Sequence, residues 1–171
     1  MNNTIYQFVT TILVKNLEAL ERVVAKAAMH SKEHAIPESE ILGWNLAPDM
    51  FDFKKQIQVA TDDARRNLYL LAGKEHIKFE DTETTLAELS ARITRTKELI
   101  STLSQDDFAD ADARHVSLYW MGGMYVEGKD FVQELVIQNN SFHVVTAYDI
   151  LRAHGVVIGK TDYAGNLSMK K

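Results

Sequence analysis

Cysteine is absent from the 171 residues, proline occurs twice and glycine eight times. The lack of cysteine excludes disulfides, thiolate metal ligands and a cysteine nucleophile, and it agrees with a reducing compartment. Scarce proline and glycine argue against a turn-rich all-β protein and for long helices. No run of about 18 apolar residues occurs, so no membrane-spanning helix is expected. The opening MNNTIYQFVTTILVKNLEAL has no cation before Lys15 and no small-residue cleavage site, so it does not read as a secretory leader. Net charge is -5, without a basic block or a basic-aromatic patch, which speaks against nucleic acid as a primary partner. The expectation is one cytoplasmic domain over 1–171, with neither nucleic acid nor membrane as partner.

The apolar residues that are present fall into helical register. Ile5, Phe8, Val9, Ile12, Leu13, Leu17, Leu20, Val23, Val24 and Ala27 recur at three- and four-residue spacing and predict a long first helix. SKEHAIPESEILGWNLAP follows as a connection punctuated by Pro37 and Pro48 and pinned by Ile41, Leu42 and Trp44. Pro48-Asp49 predicts the start of a second helix with Asp49 as N-cap. Its inner face is Phe53, Ile57, Ala60, Ala64, Leu68 and Leu71, and Gly73 ends it. EDTETTLAEL predicts a third helix capped by Asp81 or Thr82, with Leu86, Leu89, Ile93, Ile100 and Leu103 as its stripe and Thr96 within it. The connection from Gly73 to Asp81 is long enough to join helices two and three either antiparallel or parallel.

Residues 104–140 break the pattern. HVSLYW alternates, placing Val116, Leu118 and Trp120 on one side, and Gly122-Gly123 suits a hairpin turn. Asp130 reads as the cap of a short helix through FVQELVIQ. The last helix is predicted from about Ser141 to His154, with Gly155 as a left-handed stop and NLSMKK as a frayed end. The resulting expectation is all-α: a four-helix bundle with a small hairpin or irregular insertion between helices three and four.

Chemistry in such a bundle would rest first on histidine, of which there are six. His30 and His34 share one helix face, but at the end of helix one, where solvated imidazoles complement the helix dipole. No His-Glu-x-x-His signature is present. His143 shares a face with Thr146, Ala147, Ile150 and His154 and points inward, where its ring needs a hydrogen-bond partner. Three roles stay open for it: core packing, proton transfer or substrate binding in a pocket, and metal ligation. Gln58, Asp62, Arg65 and Tyr69 form a polar face on helix two, read as solvated, against a subunit, or lining a cleft. Tyr119, Trp120 and Tyr125 are candidates for a pocket wall or for plain packing. GKTDY lacks the upstream glycine of a phosphate-binding loop and follows a helix, so phosphate cradling is rejected.

FHVVTAYDILRAHGVVIGKTDYAG, with LAPDMFDFKKQIQVATDDAR and FEDTETTLAELSARITRT upstream, resembles the DinB/YfiT-like superfamily in its uncharacterised branch. The match rests on Phe142, His143, Ala147, Tyr148, Ile150, Leu151, Arg152, Gly155, Gly159, Lys160 and Asp162, and upstream on Asp49, Met50, Phe51, Gln56, Gln58 and Asp62. It covers nearly the whole chain. The resemblance implies a DinB-like bundle with helices two and three parallel, and frequent homodimers. Metal-binding members use one histidine on helix two and a His-x-x-x-His pair on the last helix. His143 matches the first of that pair, Ala147 stands at the second, and helix two has no histidine. QNNSFH also replaces the branch's Pro-Asn-Phe-Tyr-Phe-His pattern. The resemblance therefore implies a degenerate metal site, no cofactor, and His143 as the one weak metal candidate. The functional expectation is a small-molecule ligand in a pocket near His143, with Asp62, Gln58, Tyr148, Trp120 and Arg152 as further candidates. The alternative is a metal-dependent transferase or hydrolase using His143 as ligand or base, oriented by Asp62 or Tyr148. An interaction module is the third class.

Overall fold

The first predicted helix becomes the longest element. In the computed structural model, which describes residues 4–166, α1 runs over Ile5–His34. Thr4 caps it through its hydroxyl, and Ala35 closes it in a left-handed conformation at φ 53°. All but Asn166 of the predicted frayed end NLSMKK lies outside the described residues. A short α2 (Glu38–Leu42) interrupts the connection and buries Ile41 and Leu42.

Helix two is α3, Phe53–Leu71, and its cap is Asp52 rather than Asp49. Met50 N–H bonds back to Ala47, so Pro48 and Asp49 are used in a turn before the helix begins. The Asp52 carboxylate accepts from the Lys55 N–H at 2.7 Å. At the far end Gly73, at φ 67°, lets its own N–H reach Leu70 and the Lys74 N–H reach Tyr69, which satisfies the last carbonyls.

Helix three is α4, Leu86–Ser101, capped by Thr85 and not by Asp81 or Thr82. Glu88, three residues on, returns a bond to the Thr85 N–H, a reciprocal pairing that Asp81 could not enter because Lys55 and Arg92 hold its carboxylate. Residues 74–84 form an irregular strap between the two helices.

The hairpin is smaller than its glycines suggest. β1 (His115–Val116) pairs antiparallel with β2 (Val126–Glu127), and residues 117–125 form the loop. A 3-10 turn at Tyr119–Met121 ends the alternation after Val116, so Trp120 is exposed. The predicted short helix and last helix are one run: α5 (Gly128–Phe131), a π-turn (Val132–Val136) and α6 (Ile137–Ala153). Asp130 lies inside α5 rather than capping it. Gly155, at φ 85°, stops α6 as expected. GKTDY becomes α7 (Lys160–Ala164), tied down by Arg22, whose Nε donates to the Asp162 carbonyl at 2.7 Å.

Cross-helix bonds set the directions. Asn16 meets Asn140 at one level, and His30 and His154 flank Trp44 at another, so α1 and α6 run parallel. Tyr6 meets Leu103 and Glu21 meets Lys97, which makes α1 and α4 antiparallel. Thr61 meets Arg92 and Tyr69 meets Leu99, so α3 and α4 are parallel, the arrangement the family resemblance implies. The four long helices thus run up-down-down-up around one apolar core that includes Leu13, Leu17, Ile57, Leu68, Leu89, Ile93 and Leu151. No helix among the described residues is long and apolar enough to cross a membrane.

A Cβ on Gly128 would overlap the Ala111 carbonyl oxygen, a backbone atom that cannot turn aside. Gly128→Ala is expected to destabilise the fold by about 1–3 kcal/mol through this overpacking, measured by urea denaturation.

Candidate functional site

Helix α3 carries three faces, not two. Phe53, Ile57, Ala60, Ala64, Leu68 and Leu71 enter the core as expected. Gln58, Arg65 and Tyr69 are also buried and Asp62 is half-buried. This polar face, for which solvation was the simplest reading, is covered by the strap and by α4. Gln56, Asp63 and Asn67, at helical spacing on a third line, are buried as well, and Gln56 bonds across to α6.

His143 meets this third line. Its Nδ1 lies 2.7 Å from Gln56 Oε1. The Gln56 amide nitrogen in turn donates to the Phe51 carbonyl at 3.2 Å. A backbone carbonyl only accepts, so the amide nitrogen must face Phe51 and the amide oxygen must face His143. Nδ1 therefore carries the proton, and Nε2 is left with its lone pair. Nε2 has no protein partner among the described residues and is not one of the buried orphan atoms, so it is the ring edge that meets solvent. Burial pushes the pKa of His143 below its ordinary value, which keeps the imidazole neutral at pH 7. Exposed rings of Phe51 and Phe142 flank it, with centroids 6.5 and 5.3 Å away. Phe142 also borders an open groove of about 750 Å³ along the outer side of α6, with Val145 and Asp149 beyond it.

Toward the start of α6, the same interface continues as a polar seam. Asn140 donates to the Ala60 carbonyl and accepts from Asn16, each at 2.9 Å. Further along, Asp63 is 2% exposed and accepts from Asn67 at 2.8 Å, while its other carboxylate oxygen has no partner among the described residues. Burial raises the Asp63 pKa, and bonds from Asn67 and the Arg66 charge only partly offset it.

The strap side is organised by Arg92. Its Nε donates to Thr61 at 2.8 Å, Nη1 to the Glu80 carbonyl and the Glu83 carboxylate, and Nη2 to Asp62, while Asp81 is an ion-pair neighbour of Nη2 at 3.0 Å. Four of its five donors are thus in hydrogen bonds. Gln58 bonds Glu83, and Arg65 bonds Asp62. Asp62 and Gln58 therefore belong to this charged cluster and not to the neighbourhood of His143. Tyr148 is half-buried with its ring edge toward Tyr163. Arg152 is exposed, and Trp120 stands at the hairpin tip. Of the six sequence candidates, only His143 lies at the Gln56–Phe51–Phe142 cluster. His30, read as solvated, is buried and packed against His34 and Trp44, and His154 stacks on the same indole.

A transition metal held in the manner of the superfamily needs about three converging N/O donors. The α3 residue facing His143 is Gln56, a neutral amide already donating to Phe51, and one turn along α6 stands Ala147. One imidazole beside an amide and a methyl group does not fit such a metal. Among the described residues no group of three or more His, Asp or Glu is arranged to hold one. Gln56 and Arg92 are the residues sequence reasoning passed over as site members. The signals were an arginine inside the Leu89–Ile93–Thr96 stripe, and glutamine seven residues before Asp63 on one helix line.

Residues 5–164 match the family described as Domain of unknown function (DUF1993). A crystal structure of a DinB family member protein from Shewanella denitrificans is similar, with a TM-score of 0.93 at 34% identity, over 97% of this chain and 94% of that one. No curated protein matches.

Because the folded pKa of Asp63 lies above its unfolded value, its contribution to stability is present at low pH and is lost as pH rises through the folded pKa. Asp63→Asn is expected to be more stable than wild type at pH 7, with the gap closing as pH falls toward the ordinary aspartate range. Thermal melts across pH check this; an Asp63→Asn variant less stable than wild type at pH 7 contradicts it.

Proposed function

The chain belongs to the DUF1993 family among the DinB-like bundles, and from that premise we propose that it binds a small, partly apolar molecule at His143 without a transition metal. The observation that carries this reading is the committed Nδ1–H of His143, which leaves Nε2 as an acceptor between the Phe51 and Phe142 rings. A flat ligand with one N–H or O–H donor suits that arrangement, because it can stack on phenylalanine and hydrogen-bond the imidazole. The cysteine-free composition supports a cytoplasmic setting.

Phenol serves as a minimal probe. Saturable shifts of the Phe51 and Phe142 ring signals by phenol, much weaker with toluene and abolished in His143→Phe, are the expected result; equal responses to both probes would sink the reading. The alternative, a metal-dependent transferase or hydrolase, is tested on tag-free protein purified without added metal. Well under one zinc or nickel per chain is expected, and about one per chain that disappears in His143→Ala would favour the alternative.

The homodimer implied by the family resemblance finds support on the outward side of α6, where Phe142 and Val145 are exposed beside Leu135. A second copy there would wall the His143 edge through Phe142 and deepen a shallow site. Sedimentation of wild type as a dimer, and of Val145→Glu as a monomer, is expected. A wild-type chain that stays monomeric at high concentration removes this part of the proposal.

A further inference from the structure

We propose that Phe79 of the strap plugs an oxyanion-binding site built by Arg65 and Arg95. The guanidinium carbons of Arg65, Arg95 and Arg92 stand 3.8, 4.2 and 5.3 Å from the centre of the Phe79 ring. A carboxylate carbon or phosphate phosphorus paired with arginine sits roughly 4 Å from the guanidinium carbon, given N···O distances of about 2.8 Å. The ring centre thus stands at the arginine–oxyanion distance from two guanidinium carbons, both lying over the ring.

Both arginines keep donors that are not used elsewhere. Arg65 is 1% exposed, yet its Nε and Nη1 are buried without partners, and only Nη2 is engaged, by Asp62. Unpaired buried donors are costly, and a cation over a ring compensates them less than an anion would. Arg95 has no ion-pair partner among the described residues. Arg92 adds positive field, and its hydrogen bonds go to Thr61, Glu80, Glu83 and Asp62.

The neighbouring acids are largely committed. Asp62, Asp81 and Glu83 are held by Arg65, Arg92 and Lys55, and the Glu88 carboxylate caps α4. Glu80 and Glu88 stand against Arg95 and Lys78, so the charges balance, and the demand for an anion comes from the unpaired donors of Arg65 rather than from net charge. A crevice of about 490 Å³ lies directly against the ring, bordered by Lys78, Arg92 and Arg95 and also by Glu80, Glu83 and Glu88. It can receive the displaced ring, and the strap has no helix or strand to break when it lifts. The ligand class is a small organic carboxylate or a phosphate ester, the two sources of the same oxyanion chemistry.

The test titrates wild type, Phe79→Ala and Phe79→Ala/Arg95→Ala with inorganic phosphate and with acetate in separate arms, following the Arg65 and Arg95 side-chain N–H signals by NMR. Removing the plug is expected to tighten saturable binding of at least one anion about tenfold or more, and removing Arg95 as well is expected to abolish it. Preference for phosphate or for acetate then assigns the source. Binding no tighter in Phe79→Ala than in wild type overturns the proposal, as does binding that survives loss of Arg95. If Phe79→Ala does not fold, Phe79→Val, which shrinks the plug but keeps some apolar packing, is judged by the same two criteria.

Discussion

The side-chain amide of Gln56 has one orientation that serves both of its neighbours. Phe51 offers only a carbonyl, so the amide nitrogen turns there and the amide oxygen turns to His143. From this single constraint follow the tautomer of the neutral imidazole and the direction of its free lone pair, while burial keeps the ring neutral. It also bears on ligation, because a glutamine locked as an acceptor toward Nδ1 supplies neither the charge nor the second imidazole a transition metal would require. Helix α6 is fixed against α3 by the same bond and by Asn140 one turn away.

A second constraint acts on the opposite side of α3. Two parallel helices need a connection that runs back along their length, and the strap does so over a row of charged residues. Arg92 makes four hydrogen bonds and a further ion pair to α3 and to the strap, so the pairing of α3 with α4 and the path of the strap are set by the same guanidinium. Removing one partner of such a cluster leaves charges without compensation, whereas the complete cluster contributes little net energy. Its contribution is to specify where the strap lies, and with it where Phe79 rests.

Much of the architecture was legible because it follows from periodicity. The stripe from Ile5 to Ala27 yields α1, and Phe53 to Leu71 yields the core face of α3. Caps were less legible, since Asp49, Asp52, Asp81, Thr82 and Thr85 are all competent and the choice depends on tertiary partners such as Lys55 and Arg92. The continuity from Gly128 to Ala153 was hidden because the π-turn at Val132–Val136 breaks the 3.6-residue register. At the candidate site, the inward direction of His143 could be read from its helix line. Its partner could not, because Gln56 and Gln58 look alike in sequence and only packing assigns one to α6 and the other to the strap.

The tautomer of His143 tests this account most directly. Long-range proton–nitrogen NMR of the folded protein at pH 7 should show a neutral ring with the proton on Nδ1 and an unprotonated Nε2, and Gln56→Ala should mix the two tautomers. A ring protonated on Nε2, or an imidazolium at that pH, would contradict the arrangement from which the functional reading is drawn.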